Sequence, residues 1–517
     1  MNTMDSTRRD FLKAVGFGAA ALLTPAAVSG AGRKAKRPNI VLIMADDMGY
    51  SDLGCYGGEI ETPRLDKMAN DGLRFSQFYN CAKCSPTRNS LLTGLYHQRT
   101  DIGQGKNCVT IAEVLKQTGY TTLMTGKWHV GSTPMDRGFE RYFGMLSGSC
   151  SFFVPDNSFR MDRETFTTKD KNFYTTNAFT DYALDFLDGA ARKDKPFFLY
   201  VAYNAPHYPL HALPEDIAKY KGKYMKGWDK VRRERYARLI ELGLIDRKWK
   251  MSARGQDKHK SFSDIPPWDQ VEDKEAEDLN MAVYAAMVDR LDQNIGRILD
   301  KLKELGQAEN TLVMFLSDNG GCPYERNKTK DIPPGPAESY RTYDSPWANV
   351  SNTPFRLYKR FSHEGGSATP FIVRWPAVIK EGGRITHQLG HIVDVMATCL
   401  EIGKAEYPRR YEERQVLPHD GQSLLPIFRG RWRKGHDAIF WEFMRNKAVR
   451  QGKWKAVTIG DGPWELFDME ADRTELHDLA KHFPQKLKEL VALYDKWRES
   501  WAQKPKGKAG AKNKQKG

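Results

Sequence analysis

Asp46-Asp47, Asp318-Asn319, Cys84-Ser85-Pro86-Thr87-Arg88, Lys127 and Lys359 are the residues of this chain whose types can do chemistry together. Asp46, Asp47, Asp318 and Asn319 offer hard oxygen atoms with no thiolate and no imidazole among them. Such a set favours Ca2+, with Mg2+ behind it, over zinc. Pro86 suits the first turn of a helix, predicted to run through Arg88 to Tyr96, so residue 84 falls at its N-terminus. The free amides and dipole of a helix start attract an oxyanion. Arg88, Lys127 and Lys359 are the candidate cations, giving a cradle for a tetrahedral oxyanion between metal, helix end and positive side chains. Cys81-Ala82-Lys83-Cys84 also spells C-x-x-C, which can be a redox pair or half a zinc site. No second such pair and no close histidine pair completes a zinc set.

Elements that would bring these residues together are visible as four apolar runs, each ending abruptly in polar residues. Pro38–Ala45 runs into Asp46-Asp47, and Thr121–Met124 leads to Gly126-Lys127-Trp128-His129. Pro196–Ala202 leads to Pro206-His207, and Thr311–Leu316 to Asp318-Asn319-Gly320. Short β-branched and aromatic runs bounded by Gly, Pro and Asp predict buried strands of a largely parallel sheet. Ligands of open α/β sheets bind just beyond the carboxyl ends of such strands. One Asp-Asp after a strand is ordinarily a turn or helix cap; four ends of matching chemistry predict one convergent site.

The apolar spacing of Glu277–Leu305 predicts a long helix stopped by Gly306, its Met and aromatic stripe being core packing. Residues 208–275 read as a partly helical excursion near the site mouth, and 321–358 as a substrate-facing loop. Trp228, Trp268, Tyr343 and Trp347 suit either sugar stacking or packing. Beyond residue 433, Ala438–Trp441, Ala448–Val457 and Trp464–Asp468 predict an antiparallel meander closed by a helix over Leu487–Trp501. The expected organisation is a leader and linker over 1–37, a catalytic domain over 38–432, a small domain over 433–502 and a disordered basic tail over 503–517.

The formal charge of +15 over 517 residues is terminal. Residues 1–37 hold seven Lys/Arg against two acids, and 503–517 hold six Lys and no acid, leaving 38–502 near neutral at +4. A nucleic-acid face is therefore not expected. Arg8-Arg9, the short apolar run Ala14–Leu23 and small residues up to Ser29 look like a twin-arginine signal, implying a bacterial protein exported through the Tat translocon to the periplasm or beyond. The run is too short for a membrane span, so no stable membrane insertion is expected after processing. Seven cysteines, an odd number, are too few for a disulfide scaffold.

The Cys84–Arg88 stretch resembles the C-x-P-x-R motif of formylglycine-dependent (type I) sulfatases. Gly126-Lys127-Trp128-His129, Ala205-Pro206-His207, Ser317-Asp318-Asn319-Gly320, Lys359 with Glu364-Gly365-Gly366, Trp375-Pro376 and Asp420-Gly421 with Ser423-Leu424 are similar to landmarks of that family, in order. Among its members the chain looks most like bacterial arylsulfatases. The resemblance implies an α/β, alkaline-phosphatase-like fold: a large, mostly parallel mixed sheet flanked by helices, plus a small C-terminal α+β domain with a short antiparallel sheet.

It further implies a maturation enzyme that oxidises Cys84 to formylglycine (3-oxoalanine). Asp46, Asp47, Asp318, Asn319 and the modified residue 84 would bind Ca2+. Arg88 would hold the aldehyde hydrate, Lys127 and Lys359 the sulfate oxygens, and His129 and His207 would move protons. The implied activity is hydrolysis of aryl sulfates or sulfated carbohydrates. Two alternatives stay open: a phosphonate or phosphate ester hydrolase of the same superfamily, and a non-catalytic binder of sulfated glycans. Two departures from the family's pattern, Ala368 and Phe443-Met444-Arg445, fall where the rim of a substrate site is expected.

Overall fold

The computed structural model describes residues 37–502 except 101, 104–106, 194, 256–261 and 263. The predicted leader, up to residue 36, and the lysine-rich tail lie outside the described residues. Eleven strands form the main sheet. In chain order they are β1 (Asn39–Ala45), β2 (Leu73–Tyr79), β3 (Thr121–Gly126), β4 (Arg141–Met145), β5 (Phe159–Met161), β6 (Glu164–Thr165), β7 (Phe197–Ala202), β8 (Thr311–Ser317), β9 (Ala368–Arg374), β10 (Arg384–Thr386) and β11 (Gly390–His391). Their order across the sheet is β10-β2-β9-β8-β1-β7-β3-β4-β5-β6, with β11 also pairing β2.

The centre, β8-β1-β7-β3-β4, is parallel, whereas β9 runs antiparallel to both β2 and β8. All seven residues of β1 are buried. Ile40, Leu42 and Met44 enter the core on one face of the sheet, and Val41, Ile43 and Ala45 enter the core on the other. That is why the run reads as continuously apolar instead of alternating. Each such side chain withdrawn from water contributes roughly 1.5–3 kcal/mol before entropy is counted.

Helices cover both faces. The longest, Lys274–Glu304, starts where the Asp273 carboxylate accepts from Ala276 N–H, a cap that places its start three residues before the predicted one. The helix predicted through Tyr96 instead spans Cys84–Thr93, because Gly94 takes a left-handed conformation (φ +69°) and ends it. Trp228, Trp347 and Tyr343 are buried; Trp228, Trp268 and Trp347 meet edge to face, and Tyr343 stacks on Tyr284. Trp228, Tyr343 and Trp347 are packing residues, while Trp268 is half-buried and keeps part of its surface exposed.

Two short strands, β12 (Arg410–Tyr411) and β13 (Arg414–Gln415), make a separate hairpin. The C-terminal meander is a four-stranded antiparallel sheet of β14 (Ile439–Phe443), β15 (Asn446–Gln451), β16 (Trp454–Thr458) and β17 (Glu465–Asp468), followed by a helix over Pro484–Ala502. Met444 and Arg445 both have positive φ and form the exposed two-residue turn between β14 and β15, the geometry hairpin twist demands. No described helix is long and apolar enough to cross a membrane.

Candidate active site at the strand ends

The register of the central strands sets the site. Ala45 pairs with Ser317, Met44 with Ala202, and Ala202 with Gly126, so the loops after β8, β1, β7 and β3 leave at one level. Asp318-Asn319, Asp46-Asp47, His207 and Lys127-His129 follow within a few residues of those ends. Because β9 is reversed, its start lies at this same edge, so the segment holding Lys359 and Glu364 arrives there too. β2 is parallel to β8 and delivers Asn80 and the Cys84 helix. Gly126 cannot be replaced without moving backbone: a Cβ there would sit 2.0 Å from the Ala202 carbonyl oxygen. Asp47 (φ +68°) and His129 (φ +57°) hold left-handed conformations, which cost of order 1–3 kcal/mol each in non-glycine residues and cluster at functional sites.

Asp46, Asp47, Arg88, Lys127, Asp318, Asn319 and Lys359 are all essentially inaccessible, and Cys84 and His207 nearly so. Lys127 Nζ donates to Asp46 Oδ2 at 2.5 Å, and Lys359 Nζ to Asp47 Oδ1 at 2.5 Å. Arg88 donates through Nε (3.1 Å) and Nη2 (2.8 Å) to Asp318 Oδ2, and through Nη1 to the Lys127 carbonyl at 3.0 Å. Asn319 Nδ2 donates to Asp47 Oδ1 at 2.8 Å. His207 Nε2 lies 3.4 Å from Asp47 Oδ2, while Nδ1 is 2.6 Å from the Tyr208 carbonyl. That carbonyl assigns the proton to Nδ1 and leaves Nε2 facing the carboxylate. The residues singled out in the sequence therefore come together here.

Three buried oxygens in this cluster, Asp46 Oδ1, Asp47 Oδ2 and Asn319 Oδ1, have no hydrogen-bond partner. Asp46, Cys84 and Asp318 each present an atom within 4.8 Å of the others, as do Asp46, Asp47 and His207. Buried acceptors without donors are costly, and a hard cation satisfies several at once. Electrostatics point the same way. Burial and the neighbouring Asp46 carboxylate push Asp318 up to about 6. Burial opposes the Asp47 charge as well, but Lys359 and His207 outweigh it and hold Asp47 well below the usual carboxylate range. Burial opposes a thiolate at Cys84, yet Lys127 and Lys359 bring it below its ordinary value. Burial, reinforced by Lys127 and Arg88, lowers His129 to about 3, and burial also holds His207 well below its usual value. Both shifts favour the neutral imidazole.

The Sulfatase family model matches residues 38–405, well over half of the chain. The chain belongs to the sulfatase family. A second family model, N-sulphoglucosamine sulphohydrolase C-terminal, matches residues 355–499 of this sulfatase. It is 32% identical over 528 residues to an uncharacterized sulfatase of Schizosaccharomyces pombe, covering 89% of this chain and 93% of that one. To an arylsulfatase of Klebsiella aerogenes it is 34% identical over 453 residues, covering 77% and 93%. Among solved structures, Ps i-CgsB in complex with k-i-k-neocarrahexaose aligns with a TM-score of 0.67 at 26% identity, covering 91% and 94%. This sulfatase is accordingly a sulfuric ester hydrolase with the alkaline-phosphatase-like fold.

Three positioning residues escaped the sequence reading. Asn80, directly after β2, accepts from Ala82 N–H through Oδ1 and donates to the Ser317 carbonyl, tying the cysteine loop to β8. Trp441 of β14 donates its indole N–H to the Asn80 carbonyl at 2.8 Å. Thr369 exchanges hydrogen bonds with the Ser317 backbone through its hydroxyl. A polar residue one step past a strand was the available signal for Asn80, but β2 itself was not recognised. All seven cysteines are free and buried, and Cys81 Sγ contacts Ser90 Oγ at 3.4 Å. Cys81 and Cys84 are not joined in a disulfide.

Proposed function

We propose that this sulfatase hydrolyses sulfate esters of aryl alcohols or carbohydrates through a formylglycine made from Cys84. Ca2+ would be held by Asp46, Asp47, Asp318 and Asn319 together with residue 84. The observation that carries the reading is the set of unpartnered buried oxygens on Asp46, Asp47 and Asn319, converging beside Cys84 at the first residue of a helix. An all-oxygen donor set of this kind fits a hard divalent cation. Cys84 Sγ stands where an oxygen of the hydrated aldehyde would be.

The bound cation would stabilise charge on the transferring group. The hydrated aldehyde supplies two hydroxyls on one carbon, one to attack sulfur and one whose proton loss lets sulfate leave, a route closed to a plain serine. The chain's own residues do the rest. Arg88, locked by Asp318 and the Lys127 carbonyl, fixes the position of residue 84. Asp318, whose affinity for a proton is raised, presents a carboxylate oxygen within 4.8 Å of the residue 84 side chain and serves as the base. Lys127 and Lys359 trade their carboxylate partners for the ester's oxygens and neutralise them. His207 faces the site through Nε2, takes up a proton there from solvent as the alcohol departs and passes it to that alcohol, and His129, with Nδ1 unpartnered, takes up the second hydroxyl's proton. Overall, water is added across the ester S–O bond.

The Klebsiella arylsulfatase supports the aryl alternative, and the solved complex with a hexaose supports the carbohydrate one. Mass spectrometry of the peptide containing residue 84 tests the modification, together with turnover of an aryl sulfate against an aryl phosphate. An unmodified thiol in fully active protein would overturn the scheme. Export through the Tat route is part of the same proposal, supported by Arg8-Arg9 and the apolar run after it. Replacing both arginines by lysine should keep the protein in the cytoplasm, as read by cell fractionation.

A further inference from the structure

At the edge of the buried cluster, three cations, one of them the cluster's own Lys359, surround one ring. Lys83 Nζ lies 5.0 Å, the Arg326 guanidinium 5.0 Å and Lys359 Nζ 5.6 Å from the centre of Tyr324. Lys359 is committed to Asp47. Lys83 and Arg326 form no ion pair among the described residues; their polar contacts are hydroxyls. Lys83 Nζ donates to Tyr324 Oη at 3.4 Å, and Arg326 Nη1 to Tyr208 Oη at 2.9 Å. Tyr208 in turn stacks on His207, with ring centres 4.2 Å apart. Lys83 and Tyr324 are half-buried and Arg326 is exposed. The two unanswered cations therefore stand on the solvent side of His207 and Lys359, one aromatic ring away from the reacting group.

Within the site the buried lysines are answered by carboxylates, as Lys127 and Lys359 are. Lys83 and Arg326 are held by hydroxyls and a ring face instead, which orient a cation without neutralising it. A planar guanidinium and an ammonium arranged so suit an anionic oxygen group arriving with the substrate. We infer that Lys83 and Arg326, with the hydroxyls of Tyr324 and Tyr208, form a subsite for a second anionic group of the substrate, a sulfate or a carboxylate on the same or the adjoining sugar. The natural substrate is then a polyanionic saccharide, and a simple aryl sulfate fills only part of the site. The inference rests on the sulfate-ester reading above and narrows its substrate class.

Arg326→Ala is the discriminating variant, since residue 326 is exposed and lies outside the modification motif. Steady-state kinetics would compare an aryl sulfate, a monosulfated monosaccharide, its disulfated counterpart, and a monosulfated disaccharide carrying a uronic acid. The expected result is a rise in KM of about tenfold for the disulfated or the uronate-bearing substrate. KM for the aryl sulfate should stay within about twofold, and Arg326→Lys should recover part of the loss. Whichever of the two dianions responds identifies the group as sulfate or carboxylate. Equal KM values for mono- and dianionic saccharides in the wild type, or no selective loss in Arg326→Ala, would overturn the subsite. Absence of turnover on every sulfate ester, with residue 84 confirmed as aldehyde, would break the activity reading instead. Calorimetric binding of the dianionic saccharide to wild type and Arg326→Ala would then decide the subsite alone.

Discussion

Two buried charge clusters lie a few residues apart along β2 and β9, built from the same ingredients and finished differently. One is the site, with Asp46, Asp47 and Asp318 against Arg88, Lys127 and Lys359. The other joins the main sheet to the C-terminal sheet. There Glu364 accepts from Tyr79 Oη (2.8 Å), Lys455 Nζ (2.9 Å) and Arg473 Nε (3.0 Å), and Lys455 also reaches Glu475 at 2.8 Å. Arg473 lies over the rings of Tyr50, Tyr79, Trp249 and Phe355. In the junction both carboxylate oxygens of Glu364 are answered and Arg473 is enclosed by π faces. In the site three oxygens are left over. Burial and charge alone therefore do not mark a functional centre; the site differs in gathering three unanswered oxygens among neighbouring residues, whereas the junction leaves only Glu475 Oε1, set against Lys455, and the two Nη atoms of Arg473 without hydrogen bonds.

Breaking each cluster should produce opposite phenotypes. The largest effect belongs to the site: Cys84→Ser should lower aryl sulfate turnover by about 10⁴-fold or more, with an unfolding midpoint near that of wild type. Wild-type turnover in that variant would dissolve the distinction. Next comes the junction, where Lys455→Met or Glu364→Gln leaves a buried charge unpaired and should cost about 3–5 kcal/mol in urea unfolding. Folded protein should keep most of its activity below the melting range. If these variants lost catalysis without losing stability, the junction would be part of the site.

A smaller effect sharpens the contrast through the metal. Added Ca2+ should raise the melting temperature of wild type, by an amount equivalent to about 2.7 kcal/mol at a hundredfold excess over Kd. Asp46→Asn should lose that increment and Lys455→Met keep it, as scanning calorimetry with and without chelator would show. The smallest effect is on pH. Burial pushes Glu475 up to about 7, while Lys455 and Arg473 overcome the burial of Glu364 and hold it at about 2. Folded protein thus binds more protons at Glu475 than unfolded protein between about pH 4.5 and 7, and stability declines as pH rises through that window. Glu364 contributes stability that is lost as pH falls from about 4.5 towards 2. The two share Lys455 and titrate as a pair. Glu475→Gln should flatten the upper slope and Glu364→Gln the lower one.

Much of the site could be read from the chain because apolar runs stop at polar residues on the strands that carry Asp46, Lys127, His207 and Asp318. The strands that deliver Cys84 and Lys359 could not. β2 carries buried Arg74 and Ser76 and breaks register between Phe75 and Phe78, so its pattern has no steady period. β9 contains Pro370, a residue that argues against an interior strand. The structure accommodates it opposite the β2 irregularity, and on the other side the Thr369 hydroxyl takes over the hydrogen bonds to Ser317. The departures at Ala368 and Phe443-Met444-Arg445 also read differently in three dimensions. Ala368 is the buried first residue of β9, Phe443 is the half-buried last residue of β14, and of the three only the Met444-Arg445 turn is exposed to solvent.

Cys84 is only 2% exposed in the folded chain, and the Arg88 beside it is clamped by an aspartate 230 residues further on. At synthesis rates of roughly 5–20 residues per second, that stretch takes about ten to fifty seconds to emerge. On the proposed reading, this interval is the clock for maturation. An oxidising enzyme must reach the cysteine while Asp318 is still unmade or undocked, and variants that fold faster around β1 and β8 would leave more of the population unconverted.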